Sequence, residues 1–295
     1  MKGEQMKNIV PRIAAIHDIS GFGRASLTVI IPIMSNMGFQ VCPIPTAVLS
    51  THTGGFEGFK FVDLTEHLQG YIQHWKTLDL QFDAIYSGFL GSEAQLDIVR
   101  GFFKDFRHAD QLKVVDPVLG DDGKRYQTVT DQMVSGMKEL IKEADLITPN
   151  ITEAAFLLDR QVPDTITDDQ IKDWAASLTR MGPTYAVITS VPDFSKHKCT
   201  ATVAYNSKDN RYWKVTCDYI PAFYPGTGDM FTSVLVGSLM QSDSLPIALD
   251  RAQRFVSLAI RATFGFEIPH REGVLLERVL DSLKSPVTST SYELI

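Results

Sequence analysis

The stretch DAIYSGFLGSEAQLDIVRGFFKDFRHADQLKVVD, residues 83–116, carries one full turn of the pattern on which the chain is built. Asp83 to Ser87 is a short, mostly apolar run that reads as a buried strand. Glu93 to Phe106 repeats apolar residues at helical spacing, and Lys113 to Asp116 is a second β-branched run. Working outward, the same alternation continues in both directions. Ile13 to Ile16, Val41 to Ser50 (interrupted by Pro43 and Pro45), Asp145 to Thr148 and Tyr185 to Ser190 read as strands. Ala25 to Met37, Asp63 to Trp75, Thr130 to Glu143 and Asp168 to Met181 read as helices between them. Strand–helix alternation of this kind predicts an α/β fold with a mostly parallel sheet covered on both faces.

After Ser190 the order changes. Thr200 to Tyr205 and Arg211 to Tyr219 flank the polar turn Asn206 to Asn210 and predict an antiparallel hairpin. Three helices are expected next: Gly228 to Met240, Leu245 to Phe264 and Arg271 to Leu283. The Ser/Thr-rich tail from Ser285 is expected to fray. A length of 295 residues favours two domains by arithmetic. With no linker, repeat or low-complexity block, one domain over 1–295, ordered from about 9 to 284, fits better.

Composition narrows the function classes. Lys and Arg number 28 and Asp and Glu 35, a net charge of −7. That argues against broad nucleic-acid binding, which needs phosphate neutralisation over a surface. Cys42, Cys199 and Cys217 are too few and too scattered for a disulfide framework or a zinc site. Met1 to Pro11 lacks the apolar centre of a signal peptide. The longest apolar run, Leu27 to Met34, is broken by Pro32 and too short to span a bilayer. A cytoplasmic protein with no membrane partner is the expectation.

Six segments carry polar chemistry, most of them just after a strand, where open α/β sheets bind ligands. Pro225-Gly226-Thr227-Gly228-Asp229 opens an apolar helix. Its glycines let the backbone approach an anion, and the first-turn N–H groups face it. Asp229 there could take a proton from an attacking hydroxyl; a plain helix start, with Thr227 as N-cap, is the alternative. Thr148-Pro149-Asn150-Ile151-Thr152-Glu153 reads either as a nucleotide–magnesium contact or as a capping box. Val114-Val115-Asp116-Pro117-Val118-Leu119-Gly120-Asp121 places carboxylates at a strand end, as a turn or beside a metal–triphosphate. Thr189 and Ser190 end a further strand and could donate to phosphate or cap a turn.

Near the N-terminus, Asp18-Ile19-Ser20-Gly21-Phe22-Gly23 precedes a helix. It lacks the third glycine of a dinucleotide site, since Ser26 stands there, and no P-loop occurs anywhere. Ser50-Thr51-His52-Thr53-Gly54 could wall a polar substrate, although His52 alone more often packs in a turn. His67 and His74 lie seven apart and read as surface.

Taken in order, these segments resemble the ribokinase-like superfamily, and within it the vitamin kinases acting on B6 and on hydroxymethylpyrimidine. The likeness runs from about Ile13 to Leu283 and is nearest to the pyridoxal kinase family. It rests on seven motifs: Ser-Gly-x-Gly, Ser-x-His-Thr-Gly, Ser-Gly-Phe, Val-Asp-Pro-Val-Leu-Gly-Asp, Thr-Pro-Asn-x-x-Glu, Ile-Thr-Ser and Gly-Thr-Gly-Asp. The resemblance implies ATP-dependent phosphorylation of the 5′-hydroxymethyl group of a B6 vitamer. It implies Asp229 as the base and Gly226, Thr227 and Gly228 as the anion hole. Asp116, Asp121, Tyr126, Asn150, Glu153, Thr189 and Ser190 would serve ATP, with Asp116 and Glu153 toward Mg²⁺. Asp18, Ser50, His52, Thr53 and Phe89 would line the substrate pocket.

The resemblance leaves room for a monovalent cation such as K⁺ and implies a homodimer. His17-Asp18-Ile19-Ser20-Gly21 looks more like the hydroxymethylpyrimidine kinases, so that ring, or both, is the alternative substrate. A non-catalytic vitamin-binding protein is the alternative of another class. The segment between Tyr205 and Tyr219 is short beside the lid of animal pyridoxal kinases, which implies reduced closure over the phosphates.

Overall fold

The computed structural model describes residues 9–163, 165–193, 199–218, 220–285 and 290–295. The N-terminal residues 1–8, the strand end at Tyr219 and part of the tail after Ser285 lie outside them. The first half alternates as expected: β1 (Arg12–Phe22), α1 (Leu27–Asn36), β2 (Gln40–Thr51), β3 (Phe61–Asp63), α2 (Thr65–Thr77), β4 (Ala84–Ser87), α3 (Glu93–Asp105) and β5 (Leu112–Val115). Then come β6 (Gly120–Asp121), β7 (Lys124–Arg125), α4 (Asp131–Ile141), β8 (Leu146–Ile147), α5 (Ile151–Leu157), α6 (Asp168–Arg180) and β9 (Tyr185–Asp193). The last part holds β10 (Cys199–Asn206), β11 (Arg211–Asp218), α7 (Thr227–Met240), α8 (Leu245–Phe264) and β12 (Tyr292–Leu294).

Among the described residues, ten strands form one sheet in the order β12-β11-β10-β9-β8-β5-β4-β1-β2-β3. The run from β9 through β8, β5, β4 and β1 to β2 is parallel. Antiparallel strands close both sides. The central strands are buried on both faces, which is why they read as continuous apolar runs. Ile13, Ala14 and Ala15 are wholly buried, and so are Val114 with Val115 and Leu146 with Ile147. One apolar layer packs α2 to α6 against the sheet; the other packs α1, α7 and α8. Helix α7 is buried nearly all round, from Met230 to Ser238, and so shows little amphipathic contrast.

The helix expected over Arg271 to Leu283 does not form. Three single 3-10 turns occupy His270–Glu272, Leu276–Arg278 and Leu280–Lys284. Gly273 sits at φ +80°, which interrupts an α-helix, and the Arg24 N–H donates to the Glu272 carbonyl at 3.1 Å. Val274, Leu276, Val279 and Leu283 are nevertheless buried, so the spacing reported burial rather than helix. The frayed tail is also corrected at its end. Tyr292–Leu294 pairs with β11, and Ser291 donates its N–H and hydroxyl to Asp250 at 2.9 and 2.6 Å. Among the described residues no helix is long and apolar enough to cross a membrane.

Candidate active site

The carboxyl ends of the parallel strands converge on the start of α7. Gly226 caps that helix at φ +80°, and a Cβ there would lie 2.2 Å from the Arg24 carbonyl oxygen. No residue but glycine fits. Thr227 is therefore the first helical residue, not the cap, and its hydroxyl donates to the Tyr224 carbonyl at 3.1 Å. The first-turn N–H groups have no intrahelical acceptor, and Gly228 faces open space.

Asp229 stands in this first turn with its side chain 15% exposed. Its Oδ2 accepts the Ser26 N–H at 2.8 Å. Burial, reinforced by the charge of Asp18, raises its pKa to about 7 against the opposing Ser26 bond. The Ser26 hydroxyl donates to Asp18 Oδ1 at 2.5 Å, and Ser20 donates to Asp18 Oδ2 at 3.2 Å. Burial pushes Asp18 upward as well. Ser26 thus ties two carboxylates together, and does so at φ +53°, an uncommon backbone state for a serine. Sequence reasoning noticed Ser26 only as a missing glycine. A position that tolerates positive φ was the available signal.

Asp116, just past β5, is buried and raised to about 8 by burial and then by the charge of Asp229. Thr232 of α7 donates to Thr148 at 3.0 Å and reaches Asp116 Oδ2 at 3.5 Å. Asn150 and Glu153 form the capping box in full: Asn150 Oδ1 accepts the Glu153 N–H at 2.9 Å, and Glu153 Oε2 accepts the Asn150 N–H at 2.8 Å. Glu153 Oε1 also accepts the Leu119 N–H at 3.0 Å, which joins α5 to the turn before β6. Asn150 Nδ2 donates to the Gly120 carbonyl at 2.8 Å. Glu153 is buried, and burial with the charges of Asp116 and Asp121 drives it well above the usual carboxylate range. Asp121 is pushed up mainly by burial. Tyr126 is raised by burial and by the charges of Glu153, Asp121, Asp116 and Asp229. Thr189, within β9, forms a parallel bridge to Asn150 just past β8, and Ser190 stands at φ +56°.

The segment after β2 approaches from the other side. A Cβ on Gly54 would lie 3.4 Å from Pro225, beside the α7 start. His52 is buried; its Nε2 donates to the Arg271 carbonyl at 2.7 Å and its Nδ1 accepts the Gly54 N–H at 3.1 Å. Both nitrogens are engaged by backbone, and burial lowers its pKa, so the ring is neutral. Ser50 is exposed and accepts the Lys60 N–H at 2.8 Å, beside the sheet edge. Thr53 is exposed and Phe89 half-buried.

Strand-end carboxylates face a glycine-capped helix start, and comparison with known proteins places a chain of this build among the small-molecule kinases of the ribokinase-like class. The chain belongs to the phosphomethylpyrimidine kinase family, whose model matches residues 31–273. It is similar to a Bacteroides thetaiotaomicron protein provisionally described as a phosphomethylpyrimidine kinase. The form of that protein solved with pyridoxal is 56% identical, covers 97% of this chain and 100% of that one, and has a TM-score of 0.94. The pyridoxal kinase of Lactobacillus plantarum is 29% identical over 94% of this chain and 97% of its own, with a TM-score of 0.84. The pyridoxal kinase of Arabidopsis thaliana is 28% identical over 88% of this chain and 80% of its own.

Proposed function

We propose that the protein transfers the γ-phosphoryl group of ATP to the 5′-hydroxymethyl group of a pyridoxal-type vitamer. The observation that carries this reading is Asp229, poised near neutrality at the mouth of the α7 anion hole. A general base works best with a pKa close to the operating pH. Asp229 Oδ2 is occupied by the Ser26 N–H, so Oδ1 takes the hydroxyl proton. The N–H groups at the start of α7 stabilise charge on the transferring group, where most catalysis of this reaction lies. Asp116, Asp121, Tyr126, Asn150, Glu153, Thr189 and Ser190 serve ATP; Asp18, Ser50, His52, Thr53 and Phe89 serve the vitamer.

The donor set suits magnesium. Asp116 and Glu153 are buried carboxylates that repel one another. Among the described residues no three His, Cys, Asp or Glu side chains gather at metal-binding distance. Such a pair fits a hydrated ion shared with substrate phosphates, not an all-protein cage. When bound, Mg²⁺ would neutralise phosphate charge. The 56% identical relative solved with pyridoxal supports the B6 ring, whereas Asp18 favours hydroxymethylpyrimidine as the second reading and the family's own description names a phosphomethylpyrimidine. The reading extends to one domain, a homodimer and the cytoplasm; light scattering tests the dimer. The deciding assay couples ADP release to pyridoxal, pyridoxine, pyridoxamine and hydroxymethylpyrimidine, with Mg²⁺ and with or without K⁺. Turnover of the B6 vitamers is expected. ADP release with the pyrimidine alone would move the assignment, and none with any substrate would leave a binding protein.

A further inference from the structure

Behind Asp229 lies a histidine that opens the His17-Asp18-Ile19-Ser20-Gly21 segment and was given no role there. His17 sits in β1 with its side chain wholly buried. One side of its ring rests on Gly88: a Cβ there would lie 2.0 Å from Cε1 and 2.3 Å from Nδ1. The glycine of Ser87-Gly88-Phe89 is therefore required by this ring, since its own φ is not positive. Tyr86 of β4 packs edge-on at a centroid distance of 4.3 Å. Nδ1 stands 4.0 Å from Asp229 Oδ1, and neither ring nitrogen has a hydrogen-bond partner. Buried polar groups in native proteins are nearly always paired, and leaving one unpaired costs about 1–3 kcal/mol. A fold that builds a glycine seat for an unpartnered imidazole beside its base has a use for the ring.

The chemistry of that use follows from what is free on each side. Burial lowers His17 to about 3, so the ring is neutral, with one donor nitrogen and one acceptor. Asp229 Oδ2 already holds the Ser26 N–H, which leaves Oδ1 facing His17. The other groups whose charge bears on Asp229 or feels it are Asp18, Asp116, Tyr86 and Tyr126. Among the described residues His17 Nδ1, at 4.0 Å, is the unpartnered nitrogen that faces Oδ1. We propose that His17 is a positioning residue: its Nδ1–H donates to Asp229 Oδ1 once the vitamer is bound. With the Ser26 N–H on the other oxygen, two donors then fix the carboxylate plane and aim the remaining Oδ1 lone pair at the hydroxyl. A separation of 4.0 Å is longer than a hydrogen bond, and contacts of this kind tighten in the reactive complex. This deepens the reading of Asp229 as the base and rests on it.

The test compares His17→Leu, which has no donor, with His17→Asn, whose amide nitrogen reproduces the Nδ1 position. Misplacing a catalytic group by 1 Å can cost about a hundredfold. His17→Leu is expected to lower kcat for pyridoxal about 10–100-fold with KM for ATP and pyridoxal nearly unchanged, and His17→Asn to recover most of it. A packing role alone would lower stability in both variants without that split or rescue. The ¹⁵N shifts of His17, read in wild type with pyridoxal and ADP, are expected to report the Nδ1–H tautomer, and Asp229→Ala to abolish that preference. Wild-type kcat in His17→Leu, or an Nε2–H tautomer in the loaded protein, would overturn the proposal while leaving the kinase reading intact. A wild type inactive on every vitamer would overturn the kinase reading, and the tautomer measurement would still judge the His17–Asp229 bond.

Discussion

Asp229→Asn separates the chemistry of the base from its cost to the fold. The amide keeps an oxygen for the Ser26 N–H, now held at 2.8 Å, so the geometry is preserved. It cannot accept the hydroxyl proton, and loss of a general base costs roughly 10²–10⁴-fold in rate. The same change should stabilise the protein. In the folded chain Asp229 keeps its proton up to about pH 7, whereas an unfolded aspartate releases it near 3.8. Between those limits the folded state binds more protons, so Asp229 makes stability fall as pH rises through that window. At about 1.4 kcal/mol per pH unit, the full penalty above pH 7 reaches about 4 kcal/mol. Asp229→Asn removes it, and also removes part of the field that raises Asp116. Denaturant unfolding at pH 8 should find the variant more stable by up to about 4 kcal/mol, and at pH 4 nearly equal to wild type. ADP release at pH 8 should fall by at least two orders of magnitude. Normal turnover would refute the base assignment. A stability difference that does not shrink between pH 8 and pH 4 would refute the electrostatic account.

Four further outcomes are expected. In wild type, kcat/KM for the vitamer should decline below about pH 7 as Asp229 protonates; a profile flat to pH 5 would exclude it as the base. Glu153→Gln leaves the Asn150 or the Leu119 N–H without its acceptor, at about 1–3 kcal/mol. It also removes a carboxylate whose ionisation burial and Asp116 oppose, so its loss of stability relative to wild type should be larger at pH 5 than at pH 8. The same variant should raise the Mg²⁺ concentration needed for half-maximal activity, and an unchanged titration would leave Glu153 a capping residue alone. Gly88→Ala should cost about 1–3 kcal/mol by overpacking the His17 ring, read as a lower denaturation midpoint.

The fold was legible where local pattern and tertiary burial agree. Strands such as Ile13 to Ile16 and Val114 to Val115 are buried on both faces, so their composition alone marks them. The two-residue strands Gly120–Asp121 and Lys124–Arg125 are too short for any periodicity. The edge strand Phe61–Asp63 exists by folding back on Ala47–Leu49, and Tyr292–Leu294 by pairing with Trp213–Val215, far away in sequence. Gly226 and Asp229 were legible because helix starts are local chemistry. The two readings of Asn150 and Glu153 were not exclusive: the capping box is present, and it is the capping box that buries Glu153 among the acids. Ser26 and His17 stayed hidden because their meaning lies in contacts with Asp229, more than two hundred positions away for each.

That arrangement also bears on how an acidic chain holds a polyanion. A net charge of −7 accompanies Asp18, Asp116, Asp121, Glu153 and Asp229, all raised in pKa and most of them buried. Each upward shift marks ionisation that burial and neighbouring charge oppose. A cation placed between Asp116 and Glu153 would relieve that repulsion, and its own charge would invert the local preference for protonation. Phosphates bound there would then meet positive charge both from such a cation and from the N–H groups of α7. No lysine from a P-loop is needed for such a site. What the fold must supply instead is carboxylates held close enough to be uncomfortable alone, and the backbone bonds from Asn150, Leu119 and Ser26 supply that restraint.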